Sequence, residues 1–140
     1  MADRSEAVKS LIRMSNKIKR EIEKSPVIRE ISEAEARTLY FLLDRKEPTF
    51  QRDIEEEYCM RPPSVSRLLS KMEADGLITR AQIESDGRFR RIEVTEKGRA
   101  YEDQVLRRLR NLEDVVTKGV TDEEIEEFCR VMSKISANLP

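Results

Sequence analysis

Three observations predict a mainly α-helical fold with one small β-hairpin. Apolar residues recur every three or four positions through most of the 140 residues, which is the period of an amphipathic helix. The period changes to two over Leu77 to Ile83 and again over Phe89 to Val94, as in strands. Between these segments lies Asp86-Gly87, and an Asp-Gly pair is a strong hairpin signal. The expected order is two helices, a short helix, another helix, the hairpin, a long helix and a last helix.

The first two helices are delimited by a proline and by a capping motif. The first spans about Ala7 to Glu23 and stops before Pro26, because proline disfavours the helical conformation in the residue before it. The second begins at Ser32, which forms a capping box with Glu35. The apolar face of the second helix is expected in the core, because burial is the ordinary role of such a stripe.

Two shorter helices are predicted before the hairpin. Pro48 breaks the preceding pattern, and Thr49 is the expected cap of the third helix. The fourth helix runs from Pro63 to Asp75, with proline in its first turn. Gly76 ends it, because glycine takes a left-handed backbone conformation without strain. The apolar faces of both helices are expected in the core.

Two helices are predicted after the hairpin. Thr95 leads into a long helix that continues to Val116, and Thr121 forms a capping box with Glu124 before the last helix. The first helix and the last two carry apolar stripes outside a middle region that has enough elements to close on itself. A partner subunit is the simplest cover for them. The residues assigned to dimerisation are Leu11, Ile12, Leu112, Val116, Phe128, Met132 and Ile135.

Composition narrows the classes of function. The chain contains no histidine, so it lacks the commonest general base and metal ligand, and an enzyme is the least favoured class. Cys59 and Cys129 lack metal-ligand spacing, so we expect no metal or cofactor. Cys129 is expected in the core and Cys59 is expected to be semi-buried and inert, with a redox-active thiol beside Arg61 as the alternative for Cys59. No segment approaches the roughly 18 apolar residues of a membrane span, and no signal peptide is visible in residues 1–25. A cytoplasmic protein is expected.

The charge is distributed unevenly along the chain. The 27 basic and 28 acidic residues give a net charge of −1. Residues 61–91 hold seven basic and four acidic residues, a local charge of +3, whereas residues 1–60 carry −1 and residues 92–140 carry −3. The near-neutral total therefore does not argue against nucleic-acid binding, because the middle segment is locally basic.

The basic middle segment contains a helix with a polar face. Ser64, Arg67 and Lys71 fall at positions i, i+3 and i+7 of the fourth helix, flanked by Ser66. A short helix, a turn and a second helix with a polar N-terminal face is how a helix-turn-helix meets the major groove. A merely solvated face is the alternative interpretation of this pattern taken alone.

The hairpin favours the nucleic-acid interpretation. Arg88, Arg90 and Arg91 lie within four positions at a tight turn, and such a cationic loop suits the negative potential of a narrow minor groove. Asp86 lies two residues before Arg88 and is placed to brace its guanidinium. The alternative is a hairpin kept soluble by charge. Helix and hairpin together predict a winged helix-turn-helix over residues 32–98, with dimerisation regions at 1–31 and 99–140.

These residues resemble the MarR family of bacterial and archaeal transcriptional regulators. The resemblance is carried by the segments 64–69 (SVSRLL), 72–80 (MEADGLITR), 86–88 (DGR) and 94–98 (VTEKG). It implies a winged helix-turn-helix with a helical dimerisation bundle, and a homodimer that reads successive major grooves of a pseudo-palindromic duplex. It further implies that Ser64, Ser66, Arg67 and Lys71 face the major groove or its phosphates. Arg88 would enter the minor groove, oriented by Asp86, with Arg90 nearby.

The sequence departs from the family pattern at Pro62-Pro63, where polar residues are more usual, so Arg61 is the expected substitute contact. Family members often release DNA when a small aromatic molecule binds, and Arg13 and Tyr40 are candidate ligand residues, with ordinary packing as the alternative for both. The expected function is a DNA-binding regulator, and the resemblance implies repressor activity. The competing hypothesis is a winged-helix module that binds a partner protein.

Overall fold

The computed structural model describes residues 1–26, 28–83 and 86–140, and it describes residues 82, 83 and 86–89 by their backbone alone. Within this part of the chain the fold is mainly α with one antiparallel hairpin, so the predicted fold class is confirmed. The helices and strands are α1 Arg4–Lys24, α2 Glu33–Asp44, α3 Gln51–Tyr58, α4 Pro62–Ala74, β1 Ile78–Ile83, β2 Asp86–Val94, α5 Glu96–Arg99, α6 Glu102–Val116 and α7 Asp122–Ala137.

Both predicted capping boxes form. The backbone N–H of Ser32 donates to Oε1 of Glu35 at 3.0 Å, and the N–H of Glu35 donates to Oγ of Ser32 at 3.2 Å. Thr121 and Glu124 repeat this exchange at the start of α7, at 3.0 and 3.2 Å. Each box satisfies two amide donors that have no partner inside the helix, which is why α2 and α7 begin where the sequence predicts.

The prediction that Thr49 caps α3 is wrong. Phe50 occupies the cap position, and its N–H donates to Oδ2 of Asp53 at 2.8 Å. Thr49 instead pairs with β2, where its carbonyl accepts from the N–H of Ile92 at 2.8 Å, and its hydroxyl donates to the carbonyl of Glu47 at 3.2 Å. This pairing fixes the start of α3 beside the hairpin.

The hairpin register runs from Ile78 opposite Val94 to Gln82 opposite Arg90, with an irregularity between Gln82 and Ile83. The long helix predicted after β2 is interrupted, since α5 ends at Arg99 and α6 begins at Glu102. The apolar period thus correctly indicated helical structure but did not show the break.

The chain divides into two compact units, and the unit formed by Lys24–Leu109 contains the hydrophobic core. α2, α3 and α4 bury their apolar faces there, as predicted. The hairpin contributes Leu77, Ile78 and Ile92, and α6 contributes Val105. The buried apolar residues are Ile28, Ile31, Ala36, Leu39, Leu42, Ile54, Val65, Leu69, Met72, Leu77, Ile78, Ile92 and Val105.

The other unit comprises Met1–Glu23 and Arg110–Pro140, and none of its residues, all of which the structure describes, is buried. Of the residues assigned to dimerisation, Leu11, Leu112, Met132 and Ile135 are half-buried. Ile12, Val116 and Phe128 are exposed, at 60%, 45% and 59%. Cys129 is exposed, so its predicted place in the core is wrong for the single chain. Among the described residues, no helix combines the length and apolar character that a membrane crossing requires.

Candidate nucleic-acid interface

Burial on one side of α4 sets which residues face outward. Val65, Leu69 and Met72 are fully buried, since they pack against the core. Ser66 and Arg67 lie on the other side and are exposed, and Ser64 is half-buried. The three predicted contact residues therefore lie on the side of α4 opposite the core. A helix face in this position can meet a ligand as large as a DNA duplex.

The N-terminus of α4 is fixed by a contact with α3. Pro62 occupies the first helical position after the cap residue Arg61, where its missing N–H costs no hydrogen bond. Nε2 of Gln51 donates to the carbonyl of Pro62 at 3.3 Å. Arg61 is exposed at this end of the helix, directly before Pro62-Pro63, where the sequence departs from the family pattern. A cation thus stands at the end of α4 that a helix-turn-helix directs toward the groove.

Lys71 of α4 is exposed, and its ammonium pairs with two carboxyl groups. Its Nζ lies 2.8 Å from Oε1 of Glu35 in α2 and 3.0 Å from Oδ2 of Asp75 at the end of α4. The hydrogen bond to Glu35, followed by that to Asp75, raises the pKa of Lys71. The hydrogen bond from Lys71 is in turn the main cause that lowers the pKa of Asp75. The ammonium is therefore held charged between two carboxyl groups.

Arg80 of β1 connects the hairpin to α4. Its guanidinium donates to Oε1 of Glu73 at 3.1 Å, to Oε2 of Glu73 at 3.5 Å and to Oγ of Ser70 at 3.4 Å. The side-chain hydrogen bond from Arg80, with a smaller contribution from the charge of Arg90, lowers the pKa of Glu73. This interaction engages both Ser70 and Glu73, so the hairpin and α4 are joined through their polar side chains.

The hairpin arginines differ in what the structure describes of them. Arg90 is exposed and opposite Gln82 in the register, and Nε of Arg91 lies 3.5 Å from Oε1 of Glu93. The side chains of Asp86 and Arg88 lie outside the described residues, so the predicted bracing of Arg88 by Asp86 stays a prediction. Lys71 and Arg91 are also exposed but form ion pairs, whereas Arg61, Arg67 and Arg90 are exposed around α4 and the hairpin and form no ion pair among the described residues.

This arrangement of α2 to α4 followed by the hairpin is a winged helix, and residues 30–88 match the sequence model of the MarR family. The chain has the MarR fold. A MarR-family transcriptional regulator from Silicibacter pomeroyi superposes with a TM-score of 0.76 at 25% identity, over 96% of this chain and 90% of that one. The resemblance found in the sequence is thereby confirmed, and regulators of this family are non-enzymatic DNA-binding proteins.

Two further solved structures extend the likeness over the full length of the chain. BldR from Sulfolobus solfataricus superposes with a TM-score of 0.75 at 21% identity, over 99% of this chain and 100% of that one. MepR from S. aureus, solved in complex with DNA, gives a TM-score of 0.72 at 22% identity, over 100% of both chains. No curated protein sequence matches the chain. The MarR fold is therefore supported outside the winged-helix region as well.

The candidate ligand residues lie in different units of the MarR fold. Arg13 forms an ion pair with Glu6 and is exposed, and Tyr40 is half-buried against the core. Cys59 is exposed with a left-handed backbone at the end of α3, so the prediction that it is semi-buried is wrong. Within the described ranges, no group of three or more histidine, cysteine or acidic side chains is placed to hold a metal ion.

The sequence patterns do not predict the polar contacts that position the winged helix of this MarR fold. Gln51 and Arg80 were not assigned roles, and Glu35 was assigned only as a helix cap. Arg80 carried a signal, because a basic residue that follows an apolar strand start and lies seven positions from Glu73 can reach back to the helix. Glu35 and Lys71 are 36 positions apart, and no local pattern pairs them.

Proposed function

We propose that this protein is a homodimeric, sequence-specific DNA-binding regulator that reads the major groove with α4. The outer face of α4 carries the proposal, because Ser64, Ser66 and Arg67 lie opposite a fully buried stripe and leave the helix surface accessible. Short hydroxyl side chains permit close approach to base edges and phosphates, and arginine binds guanine through two hydrogen bonds. Arg61 adds a phosphate contact at the N-terminus of the helix. MepR, which shares the fold, was solved with DNA bound.

The homodimer is supported by the apolar surface of the unit formed by Met1–Glu23 and Arg110–Pro140. Ile12 and Phe128 are about three-fifths exposed there, and Val8 and Val115 are each 56% exposed. Monomeric proteins rarely leave apolar side chains so widely uncovered on several helices. A two-fold dimer that buries this surface would present two copies of α4 to half-sites about one helical turn, roughly 34–36 Å, apart. The operator would then be pseudo-palindromic.

The hairpin is proposed as a second reading element. The guanidinium of Arg88, braced by Asp86, enters the minor groove. Arg90 contacts the DNA backbone beside that groove. Two observations support this role. Arg90 is exposed, and the hydrogen bond from Arg80 to Glu73 holds the hairpin beside α4. The proposed domain division follows: residues 32–98 bind DNA, and residues 1–31 and 99–140 form the dimer.

We further propose that the regulator is a cytoplasmic repressor, released from DNA by a small aromatic effector for which Arg13 and Tyr40 are candidate contacts. The support is the MarR resemblance together with the MarR fold. A shift of the DNA-bound population toward free protein on addition of the effector is the expected signature.

The test begins by selecting bound duplexes from genomic fragments and measuring affinity by fluorescence anisotropy. Arg67→Ala should weaken binding by about 1–3 kcal/mol, the value typical of one arginine–base contact. Lys118→Met, which removes a charge from an exposed lysine outside the winged helix, should leave affinity unchanged. No salt-sensitive binding at micromolar concentration would contradict the regulator and favour the partner-protein module.

A further inference from the structure

The cluster around Lys71 is built on a buried carboxylate. Glu35 has no exposed surface, and its Oε1 accepts both from the N–H of Ser32 and from Nζ of Lys71. Its Oε2 has no hydrogen-bond partner among the described residues. A buried carboxylate with an unpartnered oxygen is unfavourable unless a cation lies against it. Lys71 is that cation. Because Lys71 belongs to α4, the charge of Glu35 is compensated only while α4 keeps its position.

The same ammonium also holds the C-terminal end of α4. Nζ of Lys71 reaches Oδ2 of Asp75 at 3.0 Å, one turn along the helix. Nζ of Lys97 donates to the backbone carbonyl of Asp75 at 2.7 Å from the α5 side. The start of α2, the end of α4 and α5 thus meet at one small set of charges. Gln51 holds the other end of α4, through Pro62.

The charges around Lys71 make it a poor phosphate contact. Two carboxylates lie within hydrogen-bonding distance of its ammonium and outweigh its single positive charge. A DNA phosphate would have to compete with Glu35, which cannot turn to solvent because it is buried. Arg67, one turn earlier on α4, has no such partner within the described part of the chain.

We propose that Lys71 is a positioning residue that fixes the orientation of α4 by bridging Glu35 and Asp75, and that it does not itself contact DNA. This inference rests on the proposed DNA-binding function. Its consequence is that loss of Lys71 lets the end of α4 shift, which displaces Ser66 and Arg67 from the base edges that they contact. The number of phosphates that the protein neutralises then stays the same.

The test compares Lys71→Met, Glu35→Gln and the double variant on one selected operator over a range of salt concentrations. Lys71→Met should weaken binding roughly 2- to 150-fold, the range of coupling between contacting residues, with an unchanged slope of log K against log salt. Glu35→Gln removes the uncompensated charge, so the double variant should recover part of the affinity that Lys71→Met loses. Non-additivity of this kind is specific to a bridge between the two residues.

A phosphate contact would give the opposite pattern. The slope would fall by about 0.9 for each contact, or about 1.8 for the two copies in a dimer, and Glu35→Gln would restore nothing. That result overturns the inference. If Lys71→Met does not fold, the double variant carries the slope measurement, since it leaves no buried carboxylate without a cation.

Failure of the proposed function is recognised separately. If the unmodified protein shows no salt-dependent DNA binding, the proposed function is wrong and so is the positioning role. If the unmodified protein shows salt-dependent binding and Arg67→Ala weakens that binding, the proposed function stands and the Lys71 variants alone decide the inference. Lys118→Met serves as the matched lysine control, with unchanged slope and affinity expected.

Discussion

Replacing Gly98 with alanine tests how closely the base of the hairpin packs against α5. Gly98 is buried, and a Cβ atom at this position would lie 2.4 Å from the carbonyl oxygen of Leu77 and 2.7 Å from Cγ1 of Val94. Separations under 3.0 Å are essentially never found for a real Cβ, so the backbone of Leu77 must move by about 0.6 Å. That carbonyl accepts a hydrogen bond from the N–H of Thr95, so the movement also weakens this contact.

The expected cost follows from these two effects. Overpacking in a well-packed site costs about 1–3 kcal/mol. A weakened backbone hydrogen bond adds about 1 kcal/mol. The free energy of unfolding should therefore fall by roughly 2–4 kcal/mol, which lowers the melting temperature by on the order of 5–15 °C in a domain of this size.

The assay is urea and thermal unfolding of Gly98→Ala beside Gly119→Ala. Gly119 has a φ of +79° and open space where the alanine Cβ would lie, so alanine there costs only the backbone strain, about 1–2 kcal/mol. Gly98→Ala should be the more destabilising of the two. Equal stability of Gly98→Ala and the unmodified protein would refute the close packing of Leu77 against α5.

Three further predictions concern the hairpin, the dimer and the core of the winged helix. Arg88→Ala should weaken operator binding by about 1–3 kcal/mol with an unchanged melting temperature, measured by anisotropy and circular dichroism, and unchanged affinity would remove Arg88 from the interface. Ile135→Glu should weaken dimerisation because it buries an unpaired charge, and a dimer of normal mass in sedimentation would contradict that assignment. Burial raises the pKa of Tyr58 from 10.0 to about 12. Because the unfolded state loses this proton first, stability should fall as pH rises between these two values, and Tyr58→Phe should remove that part of the decline in alkaline unfolding curves.

Local signals predicted the helix starts well. Ser32 with Glu35 and Thr121 with Glu124 form the capping boxes that their spacing indicates, because each motif satisfies its own backbone donors within four residues. Gly76 ends α4 with a φ of +78°, as an Asp-Gly pair suggests. These features need no information from distant parts of the chain.

Features that depend on distant contacts were not predictable in the same way. Threonine is a common cap residue, but the backbone of Thr49 pairs with Ile92, more than forty positions away. Phe50 takes the cap position instead, and its N–H donates to the side chain of Asp53. For Thr49, a tertiary contact overrides the local capping preference. The apolar period also gives no sign of the break between α5 and α6, which lies close in sequence to the tight packing of Gly98 against Leu77.

The candidate site shows the same division. The outer face of α4 follows from the helical period, so Ser66 and Arg67 are exposed where the sequence predicts. Which cations already have partners depends on the fold: Lys71 meets Glu35 from another helix, and Arg80 meets Glu73 across the turn. Counting charges along the chain gives the basic segment but not how many of its charges are available to DNA.

Sequence-specific recognition is tested most directly by comparing two duplexes that differ only in one half-site. One is the operator selected from genomic fragments, and the other is the same duplex with one half-site scrambled. At a salt concentration near 0.15 M, a specific regulator should bind the intact operator far more tightly than the scrambled duplex, because each mismatched base pair costs about 1–3 kcal/mol. Equal affinity for both duplexes would contradict the account.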